Sequence, residues 1–98
     1  MITIHDATKE FTGRKVEVFG QLDLDSSYTT GGYDVLDALT AEGMHEVEGM
    51  EVGFDGTRWY RFDAANNKLL AYTATATQVG NGTNLSTVVN LVFRAWGT

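Results

Sequence analysis

The chain predicts an all-β fold, a small β-sandwich or jelly-roll-like domain with one short helix. Three observations carry that expectation. Residues 14–25 alternate apolar and polar with period two, the pattern of a strand with one face on a core. Residues 58–73 hold two aromatic or aliphatic runs around Asp63-Ala64-Ala65-Asn66-Asn67, a β-hairpin signature. About six short runs of this kind are separated by Gly, Asn and Asp clusters, the spacing of sandwiches.

Taken in order, residues 1–13 are weakly patterned and read as an N-terminal arm, with Ile2, Ile4 and Phe11 available to pack on a neighbour. The single β-sandwich domain spans 14–98. Its clearest strand places Val16, Val18, Gly20, Leu22 and Leu24 on one face. Lys15, Glu17, Gln21, Asp23 and Asp25 fall on the other, with Phe19 among them. An aromatic on a polar face is either covered from within or part of an interface. Ser26 to Gly32 is a loop ending in paired glycines. Between Tyr33 and Gly43, Asp34 or Asp37 caps a short helix, Leu36 and Leu39 turn inward, and Gly43 ends it. From Met44 to Phe54 the chain is extended; Val47 and the set Met50, Val52, Phe54 differ in parity, so Gly49 marks a β-bulge. Asp55-Gly56 is a hairpin-turn signal. The central hairpin follows, then a second tight turn at Gly80–Asn84. In the last strand, 87–97, Val89, Leu91, Phe93 and Ala95 face one way and Val88, Asn90, Val92, Arg94 and Trp96 the other. Both faces are largely apolar, which points to a central strand or to an outer face covered by a partner.

Composition narrows the function. At 98 residues a domain buries only about 60–65% of its unfolded surface. The chain has no cysteine to add a disulfide, so oligomerisation or docking on a larger assembly is the expected source of extra stability. Thirteen acidic against seven scattered basic residues give a net charge of −6, which argues against nucleic-acid binding. No apolar run is long enough to span a membrane, and residues 1–6 lack a signal peptide's features, so cytosolic synthesis is expected.

Residues 20–43 add a resemblance. Phe19-Gly20, Asp25-Ser26-Ser27-Tyr28, Thr30-Gly31-Gly32, Leu39-Thr40 and Gly43-Met44 follow one another as in small structural proteins of tailed bacteriophages. In that pattern a strand leads into a Ser-Ser-Tyr-Pro-Thr-Gly-Gly loop and a Leu-Thr segment. The second half continues it with Phe62-Asp63, Asn67-Lys68-Leu69, the turn from Val79 to Ser86 and Ala95-Trp96-Gly97. Thr29 stands where the pattern has proline, and segment 44–57 departs from it. The resemblance, over roughly residues 14–97, implies a non-enzymatic virion protein, most simply a head decoration or cement protein. Its partners would be the major capsid protein or other virion proteins, with a homo-oligomer, a trimer above all, and a virion location. The alternative is a tail or fibre module contacting host-surface carbohydrate or receptor.

The search for chemistry is mostly negative. His5 and His45 lack ligand-like spacing, and His45 and Glu46 point to opposite faces if extended. Asp23, Asp25, Asp34 and Asp37 read as a solvated acidic face rather than a calcium site, since no EF-hand spacing is present. Ser26, Ser27 and Ser86 sit in turn contexts. No catalytic residue, metal ligand or cofactor is therefore expected. The interface candidates are Phe11, Phe19, Trp59, Arg61 and Trp96, because Trp, Phe and Arg concentrate at interfaces.

Overall fold

A computed structural model describes residues 2–98. Among these residues seven strands and one short helix are formed: β1 (Thr3–Thr12), β2 (Lys15–Asp23), β3 (Tyr33–Asp34), α1 (Leu36–Thr40), β4 (Val47–Val52), β5 (Trp59–Asp63), β6 (Lys68–Tyr72) and β7 (Leu91–Gly97). They make two antiparallel sheets, ordered β1-β2-β7-β4 and β3-β6-β5. One core unites them. Val18 and Leu22 of β2, Met50 of β4 and Phe93 and Ala95 of β7 pack in the same cluster as Tyr33, Leu69 and Ala71 of the second sheet and Leu39 of α1. The fold is thus the expected small all-β domain with one short helix.

The period-two pattern of β2 is realised directly: Val16, Val18, Leu22 and Leu24 are buried, while Glu17, Phe19, Gln21 and Asp23 are partly exposed. The expected N-terminal arm is different. Residues 3–12 form a strand that pairs with β2 from Thr3↔Asp23 to Thr12↔Lys15. Two residues, Asp6 and Ala7, oppose the single Gly20 in a β-bulge, and Asp6 adopts a φ of 52°. The bulge breaks the alternation on which a sequence reading depends. Backbone hydrogen bonds hold an edge strand whose side chains are mostly exposed.

The helix starts without a side-chain cap at Val35; the Asp34 carboxylate instead accepts the Leu36 N–H at 3.1 Å. Gly43, at φ 98°, follows the turn that ends it. The bulge at Gly49 is present, since Val47 pairs with Gly97 but Gly49 with Trp96. Asp55-Gly56, expected as a hairpin turn, is a crossover between sheets: β4 pairs with β7 and β5 with β6. Asp55 accepts the N–H groups of Thr57 and Arg58 at 2.8 and 2.6 Å. Such a side-chain turn specifies a reversal but not the partner of the strand that follows. Last, β7 is the central strand of its sheet, flanked by β2 and β4. It begins at Leu91 because Asn90 has a φ of 57°. That residue resets parity, so Val88 is buried and Val89, expected on the face of Leu91, Phe93 and Ala95, is exposed.

The long loop after β2 is organised by Tyr28, whose ring is fully buried. Its hydroxyl donates to Gln78 Oε1 at 3.1 Å and accepts the Ala71 N–H of β6 at 3.2 Å. Its backbone bonds the 80–83 turn, through Tyr28 N–H to Thr83 O at 2.9 Å and Gly82 N–H to Tyr28 O at 2.6 Å. Tyr33 meets the ring edge-to-face, with centroids 5.4 Å apart. Gly32 has a φ of 101°, and a Cβ there would lie 2.6 Å from the Leu69 carbonyl oxygen, so the loop can press against β6 only with glycine. Tyr28→Phe leaves the Ala71 N–H buried without its acceptor and is expected to cost about 1–3 kcal/mol. Urea denaturation with an unchanged m-value would measure it.

Candidate functional site

Large apolar side chains on the surface of a small domain are informative when they are contiguous. Phe11, Phe54, Trp59, Val89 and Val92 are the exposed large hydrophobics among the described residues. Four of the five gather at one end of the sandwich. The Gly53 N–H donates to Val92 O at 2.9 Å, which ties the segment after β4 to β7. Phe54 then leaves the sheet and stacks on Trp59, with ring centroids 4.3 Å apart and planes at 29°. Phe54, Arg58, Val89 and Val92 line an open hollow of about 510 Å³. A second hollow, about 330 Å³, shares Gly53 and Val92 with the first and reaches Phe19 and Arg94.

The face continues to Trp96. Phe19, Arg94, Val92 and Trp96 lie on the outer side of the four-stranded sheet, where Phe19 pairs with Arg94 and Glu17 with Trp96. The Arg94 guanidinium sits 4.6 Å from the Trp96 ring and donates to Glu17 Oε1 at 3.1 Å. The cation–π contact and the ion pair hold Arg94 flat on the sheet. Each is worth little in stability at this exposure. The indole itself rests on Gly49, where any Cβ would overlap its ring. The Gly49 bulge therefore makes the seat that keeps Trp96 down.

Asp55 anchors the loop that carries Phe54. Burial pushes its carboxyl up, but the Arg58 N–H, the Tyr60 hydroxyl, the Thr57 N–H and the Arg58 charge outweigh this and hold it below the ordinary 3.8. Tyr60 donates to Asp55 Oδ2 at 2.7 Å. The aromatic stack is thus carried by a pinned loop.

Of the interface candidates, Phe19 and Trp96 share the outer face of the four-stranded sheet; Trp59 lies on the outer face of the other sheet and meets Phe54 by stacking. Arg61 points to the outer side of the other sheet, 5.8 Å from the Tyr72 ring, although it lines a hollow of about 430 Å³ with Trp96 between β4 and β5. Phe11 opposes Val16 near the tip of the β1–β2 hairpin, on the side of Val16 rather than of Phe19. Phe54, Val89 and Val92 are additions. Parity had grouped Phe54 with Met50 and Val52, and Val89 with Leu91, Phe93 and Ala95; the crossover after β4 and the Asn90 turn separate them from those faces. Val92 had a visible signal, since β7 is apolar on both faces.

The remaining polar residues serve local structure. Asp23 accepts from the Asn90 N–H at 2.8 Å, and Asp25 from the Ser27 N–H at 3.0 Å and the Tyr33 hydroxyl at 3.1 Å. Asp34 lies 3.9 Å from Lys68. Among the described residues no group of three His, Cys, Asp or Glu is placed to hold a metal ion. Nor is any helix long and apolar enough to cross a membrane. Comparison with protein-family models, curated proteins and solved structures finds no match for the chain. Its surface is read from its own geometry.

Gly49→Ala tests the seat of Trp96. The added methyl must displace the indole or the bulge, at an expected cost of about 1–3 kcal/mol. Tryptophan fluorescence would report a more solvated ring, and thermal denaturation the lost stability.

Proposed function

We propose that this chain is a non-enzymatic structural protein of a tailed-bacteriophage particle, a decoration or cement protein that docks on the shell. The observation that carries the proposal is the cluster of exposed apolar side chains at one end of the sandwich: Phe54 stacks on Trp59 and lines, with Val89 and Val92, a hollow that adjoins Phe19. A patch of this kind on a sheet held by a central strand suits a preformed protein-binding surface. The resemblance of residues 14–97 to small phage structural proteins supplies the setting. The partner is the major capsid protein or another virion protein, and the chain acts as a homo-oligomer, a trimer about a local three-fold axis. The mechanism is mechanical. Each copy removes apolar surface from water across a joint between shell subunits, and linked copies add avidity without new contacts. Arg58 and Arg94 at the rim orient the contact rather than drive it.

One observation favours a second reading. The Trp59 ring is 55% exposed and stacked on Phe54, an arrangement that could receive a sugar ring in a tail or fibre module.

Two measurements separate the readings. A cryo-EM map of the source particle should show this domain at capsomer joints on the outer shell, with the Val92 face inward. Density confined to the tail would remove the cement reading. Val92→Asp should change folding stability by no more than about 0.5 kcal/mol, yet reduce binding to undecorated shells at least tenfold in a sedimentation assay. Full binding by that variant would show that another face makes the contact.

A further inference from the structure

His5 of β1 sits between two carboxylates. Its Nδ1 lies 3.0 Å from Asp6 Oδ2 and its Nε2 lies 2.9 Å from Asp23 Oδ1 of β2. A neutral imidazole has one N–H and can donate to only one of them; the imidazolium donates to both. The charged groups acting on the ring are Asp6, from its own strand, and Asp23, from the strand paired with it. The third element at this corner, the turn into β7, contributes no charge but an N–H, that of Asn90, to Asp23 Oδ1 at 2.8 Å. Two residues in left-handed backbone conformations, Asp6 and Asn90, flank the cluster.

We infer that His5 is a pH-operated latch on the N-terminal half of β1: protonated, it clamps the Asp6 bulge to Asp23, and deprotonated, it lets the bulge go. The two contacts are unequal. Asp23 is 32% exposed and is held independently by Asn90, whereas Asp6 is 77% exposed and stands on the bulge. When one N–H is lost, the Asp6 contact is the one that opens. What it releases has consequences for the core. Ile2 is buried and Ile4 packs against the same cluster. With Tyr33, Ala38 and Ala41 these two side chains line a hollow of about 600 Å³ beside α1. Loosening residues 2–7 opens that hollow and bares an apolar strip distinct from the Val92 face.

The direction of the pH dependence follows from the two groups. The hydrogen bonds that His5 donates to Asp23 and then Asp6 raise its pKa above 6.5, so its contribution is complete below 6.5 and is lost as pH rises through the raised value. The Asn90 N–H and then His5 hold the Asp23 carboxyl below 3.8, so that contribution is complete above 3.8 and is lost as pH falls through the lowered value. The latch is tightest between those limits.

Amide hydrogen exchange on the full chain, read by NMR as protection factors alongside the His5 ring titration, tests this. Protection at residues 3–8 should fall several-fold as pH rises through the His5 midpoint, while the β2–β7 ladder keeps its own. His5→Gln should abolish the step, and Asp6→Asn should abolish it and move the His5 midpoint down toward 6.5. A wild-type chain with no step at residues 3–8 would overturn the latch. So would a step that persists in His5→Gln. The wild-type titration decides the matter even if a variant fails to fold.

Discussion

The architecture depends on one buried phenol. Tyr28 lies in a loop, outside any strand, yet its side chain is fully enclosed and its hydroxyl is satisfied on both sides by Gln78 and the Ala71 N–H. Burial pushes its pKa above 10, and that of Tyr33 up to about 12, so both phenols stay protonated and remain donors. Through this one residue the long loop after β2, the strand β6 and the irregular stretch 78–85 become a single packed layer. Backbone bonds from Leu24 to Val88 and from Leu85 to Asp25, with buried Leu24, Val79, Leu85 and Val88, complete the packing of the two long loops 24–32 and 73–90. A chain of this size cannot carry such loops cheaply, because the conformational entropy of each ordered residue must be offset by burial.

This arrangement also bears on the resemblance to phage structural proteins. Among the residues that carry it, Asp25, Tyr28, Gly32 and the turn from Val79 to Ser86 each serve the fold. Asp25 bonds the Ser27 N–H and the Tyr33 hydroxyl; Gly32 admits the Leu69 carbonyl; the turn bonds the backbone of Tyr28. A similarity resting on them speaks first to architecture. The proposed docking face draws mainly on other residues, Phe54, Trp59, Val89 and Val92, while Phe19 and Trp96 belong to both the motif and that face.

That face is a consequence of strand order. With β7 central, its backbone is paired on both sides and its outward side chains stand on a stiff support. The edges are handled differently. Along β1 the edge is interrupted by a bulge and carries His5, Asp6, Lys9 and Glu10, features that oppose edge-to-edge pairing between copies. At that edge, strand addition is disfavoured as a mode of association.

Sequence alone determined the class, the strand β2, the β5–β6 hairpin, the Gly49 bulge and the short helix. These follow from local rules: period-two burial, turn residues that bond their own backbone, and the helical spacing of Leu36 and Leu39. It also named Phe19, Trp59 and Trp96 as interface candidates, and each is at least partly exposed. Tertiary structure decided what local rules cannot express. Residues 3–12 became a strand because β2 offered an unpaired edge, not because their side chains alternate. Asp55-Gly56 became a crossover because the choice of partner strand lies outside the turn. Val89 came out and Val88 went in because a single left-handed residue, Asn90, reversed parity between them. A period-two argument runs only as far as the next bulge or positive φ, and in this chain exposed Phe54 and Val89 lie next to such breaks.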